Sequence, residues 1–348
     1  MTCERFIGWD IGGAHLKVAA IDRNGAILSA EQYPTPIWRG LEHLDSQLEN
    51  ISSLLHGTGV RHAITTTAEL SDIFPDRNSG IRTISECLQN FIPAGQYHFY
   101  SGPGGWVTPG EAERFSRQIS SANWHATASF VARQIGEGIL LDIGSTTTDI
   151  IHLCNGSVQY QGYTDYERLS TGELIYTGVI RTPVMAVTDG LEIDGKWQPL
   201  VAEQFATMGD IYRLGGDLDE NDDMMQTSDG ASKSRPASAR RLARMFGIDL
   251  ENDEILEKWT EIAGRIAEQH RLKIRKIVEQ KLATISNDEK VSIIGAGAGS
   301  FLAARIAEEL GCNYMEFSSL PEISFPDRKQ VSRIAPAIAV AHLMRMNS

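Results

Sequence analysis

The pattern that most constrains this chain occurs twice. Residues 5–11 (RFIGWDI) read as a buried strand ending at Gly12-Gly13, and residues 15–21 (HLKVAAI) resume as a second strand. Asn24-Gly25 is a strong hairpin signal, after which Ala26-Ile27-Leu28 returns as a strand. Residues 139–143 (ILLDI) repeat this opening. That strand ends in Gly144, a second strand returns through Asp149-Ile150-Ile151, and Asn155-Gly156 supplies the next turn. Each copy is an apolar strand, Asp-Ile-Gly, small residues, a strand and an Asn-Gly turn. Self-similarity of this kind marks an internal duplication, with its copies placed at Asp10 and Asp142.

The remaining chain fits an α/β protein. Leucine and isoleucine spacing predicts a helix over 40–55. A strand is expected at 60–67, a helix at 79–90, a strand at 96–100, and one or two helices in 109–135. Residues 190–232 are loop-rich and acidic, with DLDENDD at 217–223, and 237–246 reads as a helix. A long amphipathic helix is expected over 253–285. A strand at 290–294 feeds a glycine turn and a helix to about Leu310, and 335–346 is a final apolar helix.

At 348 residues the chain is long enough for two domains. Its 42% hydrophobic and 22% charged residues are ordinary globular values. The net charge of −13 sets the surface against nucleic acid and anionic membranes. An anionic substrate therefore needs a local pocket of backbone N–H groups, cations or a metal. No apolar run approaches the roughly 20 residues of a membrane span. The N-terminal residues do not read as a signal peptide, which points to the cytoplasm. Cys3, Cys87, Cys154 and Cys312 form no CxxC pair and read as free thiols.

Three segments carry chemistry. In Asp10-Ile11-Gly12-Gly13-Ala14-His15-Leu16-Lys17, paired glycines let backbone N–H groups approach an anion. Asp10 suits a Mg²⁺ ion, and Lys17 adds positive charge. In Asp142-Ile143-Gly144-Ser145-Thr146-Thr147-Thr148-Asp149, the same Asp-x-Gly core is followed by hydroxyls that can wrap a second phosphate. Asp149 can fix that loop or sit near the metal. The third segment is Gly295-Ala296-Gly297-Ala298-Gly299, at a strand-to-helix turn. Its spacing is not that of the dinucleotide fingerprint, so it reads as a seat for a nucleoside or similar flat group. Taken alone, the first segment also reads as a plain hairpin, whereas the DxGxxxxD run of the second is more specific.

Phosphate loop, phosphate loop and glycine turn, in that order, resemble the superfamily of actin, the heat-shock chaperones and hexokinase. That resemblance implies two ribonuclease-H-like (actin-like ATPase) lobes around a central ligand cleft. It places the N-terminal lobe at 1–135, with a C-terminal helix (335–348) returning to it. The C-terminal lobe would be 136–334, carrying an inserted loop and long helix at 188–285. Asp-Ile-Gly-Gly resembles the hydantoinase A/oxoprolinase branch. Residues 172–184 (GELIYTGVIRTPV) resemble its first connecting helix and following strand, and 335–341 (APAIAVA) its second connection. Residues 65–72 (TTTAELSD), 122–124 (ANW), 206–214 (ATMGDIYRL) and 227–230 (TSDG) are similar to one smaller family. It accompanies tetrahydromethanopterin-linked one-carbon metabolism in methanogens and methylotrophic bacteria. Its archaeal members are methanofuran-biosynthesis synthases, which join an aminomethylfuran diphosphate to γ-glutamyltyramine and release pyrophosphate.

The resemblance implies a transferase acting on a small phosphorylated substrate, with no nucleic-acid or membrane partner. Asp10 and Asp142 would hold Mg²⁺ against the departing pyrophosphate, and Gly12, Gly13, Gly144, Ser145 and Thr146 would donate to it. Glu69, or Asp72 nearby, would act as base. Lys233, Arg235, Arg240, Arg241 and Arg244 would meet a γ-glutamyl carboxylate, or else form a solvated helix face. Where many superfamily members place a Thr or Ser after the glycine pair, this chain has Ala14. That removes a phosphate donor and argues against ordinary ATP hydrolysis. The alternatives are an ATP-dependent kinase, an oxoprolinase-like amidohydrolase, and a non-catalytic nucleotide-binding protein. Oligomeric state is not legible in the sequence.

Overall fold

The structure is a computed structural model that describes residues 5–55, 57, 59–250, 256–285 and 291–348. Cys3, the expected helix start at 253–255 and the strand residue 290 lie outside the described residues. Two compact units divide the chain. The first comprises 1–140, 151–160 and 315–348, and the second 141–150 and 161–314.

The chain opens with β1 (Arg5–Ile11), β2 (His15–Asp22) and β3 (Ile27–Pro34), an antiparallel meander. Helices α1 (Glu42–Asn50) and α2 (Ser52–Leu55) lead to β4 (Val60–Thr66), which pairs in parallel with β1. Helix α3 (Arg77–Gln89) starts from Asp76, whose carboxylate accepts from the Ser79 N–H. Strands β5 (Tyr97–Tyr100) and β6 (Trp106–Val107) then complete a six-stranded sheet in the order β3-β2-β1-β4-β5-β6. Helices α4 (Ser116–Ile119) and α5 (Asn123–Ile135) follow.

The duplicated segment supplies β7 (Gly138–Ile143), β8 (Thr148–Cys154) and β9 (Ser157–Gln159). Then come α6 (Asp165–Thr171), β10 (Leu174–Ile175) and the hairpin β11 (Gly190–Ile193) and β12 (Lys196–Pro199). Helices α7 (Met208–Gly215), α8 (Arg235–Arg244) and α9 (Leu256–Leu282) precede β13 (Ser292–Ala296), α10 (Ser300–Glu309) and β14 (Asn313–Glu316). The second sheet runs β10-β8-β7-β13-β14, with β9 also on β8. The neighbour orders β3-β2-β1-β4-β5 and β9-β8-β7-β13-β14 are equivalent, so the duplication read in the sequence is a duplication of topology.

Helices α11 (Arg328–Arg333) and α12 (Ala335–Met346) end the chain. Helix α12 is buried from Ala335 to Met344 and packs on α5, β1, β2 and β4 within the first unit. A helix apolar on all sides belongs in a core. Across the same core, Trp9 donates its indole N–H to His62 Nδ1 at 3.1 Å. His62 is thus a satisfied core residue.

Two segments differ from expectation. Residues 172–184 do not form a connecting helix. Gly172 adopts a left-handed conformation that ends α6, and Leu174–Ile175 immediately pairs with β8. Residues 190–232 are more ordered than their loop-like composition suggests, containing a hairpin and α7. That helix is set by a capping box, in which Asp210 accepts from the Thr207 N–H. None of the helices among the described residues is long and apolar enough to cross a membrane.

Candidate functional site

The β1–β2 and β7–β8 turns share one hydrogen-bond frame. Gly12 N–H donates to the His15 carbonyl at 2.9 Å, and Gly144 N–H to the Thr147 carbonyl at 2.8 Å. The Ile11 carbonyl accepts from Thr67 N–H at 3.0 Å, and the Ile143 carbonyl from Gly299 N–H at 2.8 Å. Thr67 and Gly299 are therefore counterparts. The first turn lies against the segment that carries Glu69, the second against the glycine turn at 295–299.

In the first unit, Asp10 and Lys17 stand directly opposite each other on β1 and β2. The ammonium meets Asp10 Oδ2 at 3.0 Å. Asp10 is 2% exposed, and its Oδ1 has no hydrogen-bond partner among the described residues. A buried carboxylate oxygen left in this state is open to a cation or a water. Gly13 borders Ser71: a Cβ there would lie 3.2 Å from its hydroxyl. The Gly13 and Ala14 carbonyls accept from Ile37 and Thr35, which fixes the outer side of the turn.

Glu69 is buried and accepts from Ser121 N–H at 2.9 Å. Its Oε2 lies 3.2 Å from Thr66 Oγ1, which is also 3.0 Å from the Ile11 carbonyl. Thr66 has one hydroxyl proton. When that proton goes to Ile11, a protonated Glu69 completes the pattern by donating to Thr66 Oγ1. Burial pushes the Glu69 carboxyl up to about 7, against lowering by its hydrogen bonds. A group poised there can take or give a proton near neutrality. Asp72, the other sequence candidate, is exposed.

In the second unit, the Asp142 turn is held on two sides. The Gly144 carbonyl accepts from Val179 N–H at 3.1 Å, and the Ser145 carbonyl from Ile180 and Arg181 N–H at 3.2 and 2.9 Å. Gly178 makes this approach feasible, since a Cβ there would come within 2.5 Å of the Gly144 carbonyl oxygen. On the other side Gly297 has φ +81°, and a Cβ would sit 2.5 Å from Asp142 Oδ1. Only glycine meets both demands. Asp142, Gly144, Ser145, Thr146, Thr147, Gly295, Gly297 and Gly299 are thus gathered around one turn and its neighbour. Asp149 points elsewhere: it binds the buried Arg168 at 2.6 Å, fixing β8 to the end of α6.

Several contributors escaped the sequence reading. Thr148 Oγ1 donates to the Thr177 carbonyl at 2.7 Å, and the Thr177 hydroxyl meets His270 Nε2 at 2.8 Å. Tyr212 lies 2.8 Å from the other ring nitrogen. Burial pulls His270 down to about 4, so it is neutral at physiological pH. The chain α7–α9–Thr177 thereby anchors the 178–181 segment over the turn. His270 sits at a core-facing position of a long helix with no local motif to flag it.

The basic cluster has internal partners. Arg241 is buried, bonding Asp210 at 2.7 Å and Asp229 at 3.1 Å. Arg213 joins the same network through Asp210 at 2.8 Å and Asp223 at 2.6 Å. Lys233 bonds the Asp223 carbonyl and Arg235 the Leu214 carbonyl. Asp210, Arg213, Asp223 and Arg241 thus form a buried ionic network between stretches that look separate in the sequence, while Arg235, Arg240 and Arg244 stay exposed. Trp124, 2% exposed, is likewise a packed residue, edge-on to His125 and Tyr160.

Comparison with known proteins gives a consistent picture. Residues 61–345 match the family model described as hydantoinase/oxoprolinase. A Methanocaldococcus jannaschii protein, the (4-{4-[2-(gamma-L-glutamylamino)ethyl]phenoxymethyl}furan-2-yl)methanamine synthase, is 30% identical over 343 residues. The alignment covers 97% of this chain and 97% of that protein. A Methanococcus vannielii protein of the same name is 30% identical over 221 residues, 63% of this chain and 96% of its own. Among solved structures, nucleotide-free acetone carboxylase aligns with 98% of this chain and 70% of its own. The TM-score is 0.59 at 10% identity, a likeness of fold. The fold is α/β, with two ribonuclease-H-like sheets of the actin-like ATPase kind. With the family model spanning most of its length, the chain belongs to the hydantoinase/oxoprolinase family.

Proposed function

We propose that this chain is an enzyme of methanofuran-type cofactor biosynthesis, a transferase that condenses an aminomethylfuran diphosphate with γ-glutamyltyramine. The observation that carries this reading is the relationship to the M. jannaschii synthase over 97% of both chains. That relative's named product contains a phenoxymethyl-furan ether. Forming such an ether requires a new bond between the phenol oxygen and the furan methylene. The methylene–oxygen bond to diphosphate breaks, the electron pair leaves with pyrophosphate, and the phenol proton is released.

The chain's residues suit these needs. Glu69, with its carboxyl near 7, is a base for the phenol proton. The hydroxyls of Ser145 and Thr146 offer donors to the diphosphate, on a turn that the Gly144 N–H closes internally onto Thr147 and that 178–181 and 297–299 already hold. Gly13 and Lys17 supply the equivalent surface in the first unit, where the Gly12 N–H likewise closes its own turn onto His15. Mg²⁺ fits the donor chemistry, since Asp10 presents a buried hard oxygen with no partner among the described residues. Asp10 would be a ligand of that ion, and Asp142 is its counterpart in the duplicated turn. The ion would supply positive charge to the diphosphate.

The second reading is an ATP-dependent enzyme, in which the glycine turn at 295–299 would seat a nucleoside. Ala14 counts against it. The test is to incubate the protein and Mg²⁺ with both substrates, with and without ATP, and follow ether product and pyrophosphate by mass spectrometry. Product without ATP is the expected result. Product that requires ATP, or none at all, refutes the proposal.

A further inference from the structure

A second constellation lies in the first unit, away from the sequence motifs. Glu137, His152 and Cys154 place a carboxylate oxygen, an imidazole nitrogen and a sulfur within 4.8 Å of one another. We propose that these three residues form a binding site for a borderline divalent transition ion, Zn²⁺ being the best match.

The backbone builds this arrangement. His152 and Cys154 are two residues apart on β8, so their side chains share one face of the strand. Asn155 and Gly156 both have positive φ, 52° and 72°, which is the tight hairpin geometry joining β8 to β9. Gly156 N–H donates to the Gly136 carbonyl at 3.0 Å. Gly136, at φ +79°, ends α5 with its own N–H on the Ala132 carbonyl. Glu137 follows it directly and is therefore carried to the end of the hairpin beside Cys154. Three ligands come from two elements locked together by main-chain hydrogen bonds.

The donor set selects the ion. Mg²⁺ and Ca²⁺ prefer all-oxygen shells, whereas mixed nitrogen, sulfur and carboxylate ligation suits Zn²⁺. Three protein ligands leave the fourth tetrahedral position for water or an exogenous group. Without metal, burial and the neighbouring Glu137 carboxylate hold the Cys154 thiol above its ordinary range. On binding, the sulfur–metal bond forms as the thiol proton leaves to solvent, and Glu137 exchanges a proton partner for the cation. Asn155 Nδ2 lies 3.4 Å from the sulfur and supports the thiolate from outside the ligand set.

The experiment is a Co²⁺ titration of the full chain after chelator treatment and buffer exchange. The expected result is one equivalent that carries a sulfur-to-cobalt charge-transfer band and tetrahedral visible bands, displaced by Zn²⁺ but not by excess Mg²⁺. Cys154→Ser should abolish the charge-transfer band, and His152→Ala should weaken binding at least about tenfold, by analogy with the lesser effect of outer-shell changes. Cys312→Ser should leave both unchanged. A spectrum lacking the sulfur band, or one that survives Cys154→Ser, overturns the proposal. If Cys154→Ser fails to fold, X-ray absorption on the Zn²⁺-loaded parent decides: a shell without sulfur at about 2.3 Å sinks it.

Discussion

Replacing Glu69 with Gln tests the poised carboxyl through stability as well as activity. Its carboxyl stands at about 7 in the folded chain, against an ordinary 4.5. At about 1.36 kcal/mol per pKa unit, keeping it ionised in the fold costs ~3 kcal/mol. The sign follows from linkage. Below 4.5 both folded and unfolded chains hold the proton and no penalty exists. As pH rises towards about 7 the unfolded chain ionises first, and stability falls. The penalty is about 1 kcal/mol near pH 5 and about 3 kcal/mol near pH 8. The Glu69→Gln variant would carry none of it. The new amide's carbonyl can accept from Ser121 N–H, and its NH₂ can donate to Thr66 Oγ1 while that hydroxyl serves Ile11. Urea unfolding at several pH values should therefore show Glu69→Gln gaining about 2 kcal/mol on the parent between about pH 5 and pH 8. Condensation should fall by about a hundredfold or more, as expected for a lost general base. A stability difference that does not change with pH would refute the placement of this titration on Glu69.

Two further substitutions probe the second unit. Gly297→Ala forces a Cβ into positive φ and against Asp142 Oδ1, and should destabilise by about 2 kcal/mol or more in denaturant unfolding. Gly95→Ala, where a Cβ meets nothing within 4 Å, is the control and should stay within about 0.5 kcal/mol. Arg241→Ala removes one of the two buried guanidinium groups on Asp210, leaving Arg213, and should cost about 2–3 kcal/mol by the same measurement. A loss below about 1 kcal/mol would show that the network is dispensable.

What the sequence disclosed followed its local rules. Asp-Ile-Gly before a small-residue turn and an Asn-Gly hairpin specify a meander wherever they occur, so both copies were visible at Asp10 and Asp142. The long helix announced itself by its apolar period, and Asp10, Gly12, Gly144 and Gly297 could be singled out from their turns. What stayed hidden depends on distant partners. Thr177 and His270 meet across 93 positions, and Arg241 finds Asp210 across 31. No spacing rule links such residues. Glu69 was a candidate by its position after β4, but its preference over Asp72 rests on burial, which composition does not reveal. The order within 190–232 was legible in principle, since Thr207-x-x-Asp210 is a helix-start signal that the acidic surroundings obscured.

The strap at 178–181 changes the thermodynamics of anything bound at the Asp142 turn. The carbonyls of Ile143, Gly144 and Ser145 are all engaged by main-chain N–H groups of neighbouring segments. A free turn would lose conformational entropy on closing around a ligand, at about 1–2 kcal/mol per residue fixed. Here that ordering was completed when the chain folded. An incoming diphosphate would find a rigid receptor, and more of the contact energy would remain as affinity. The same rigidity limits tolerance: a turn that cannot widen discriminates by size, and a bulkier anion has no adaptable backbone to accommodate it.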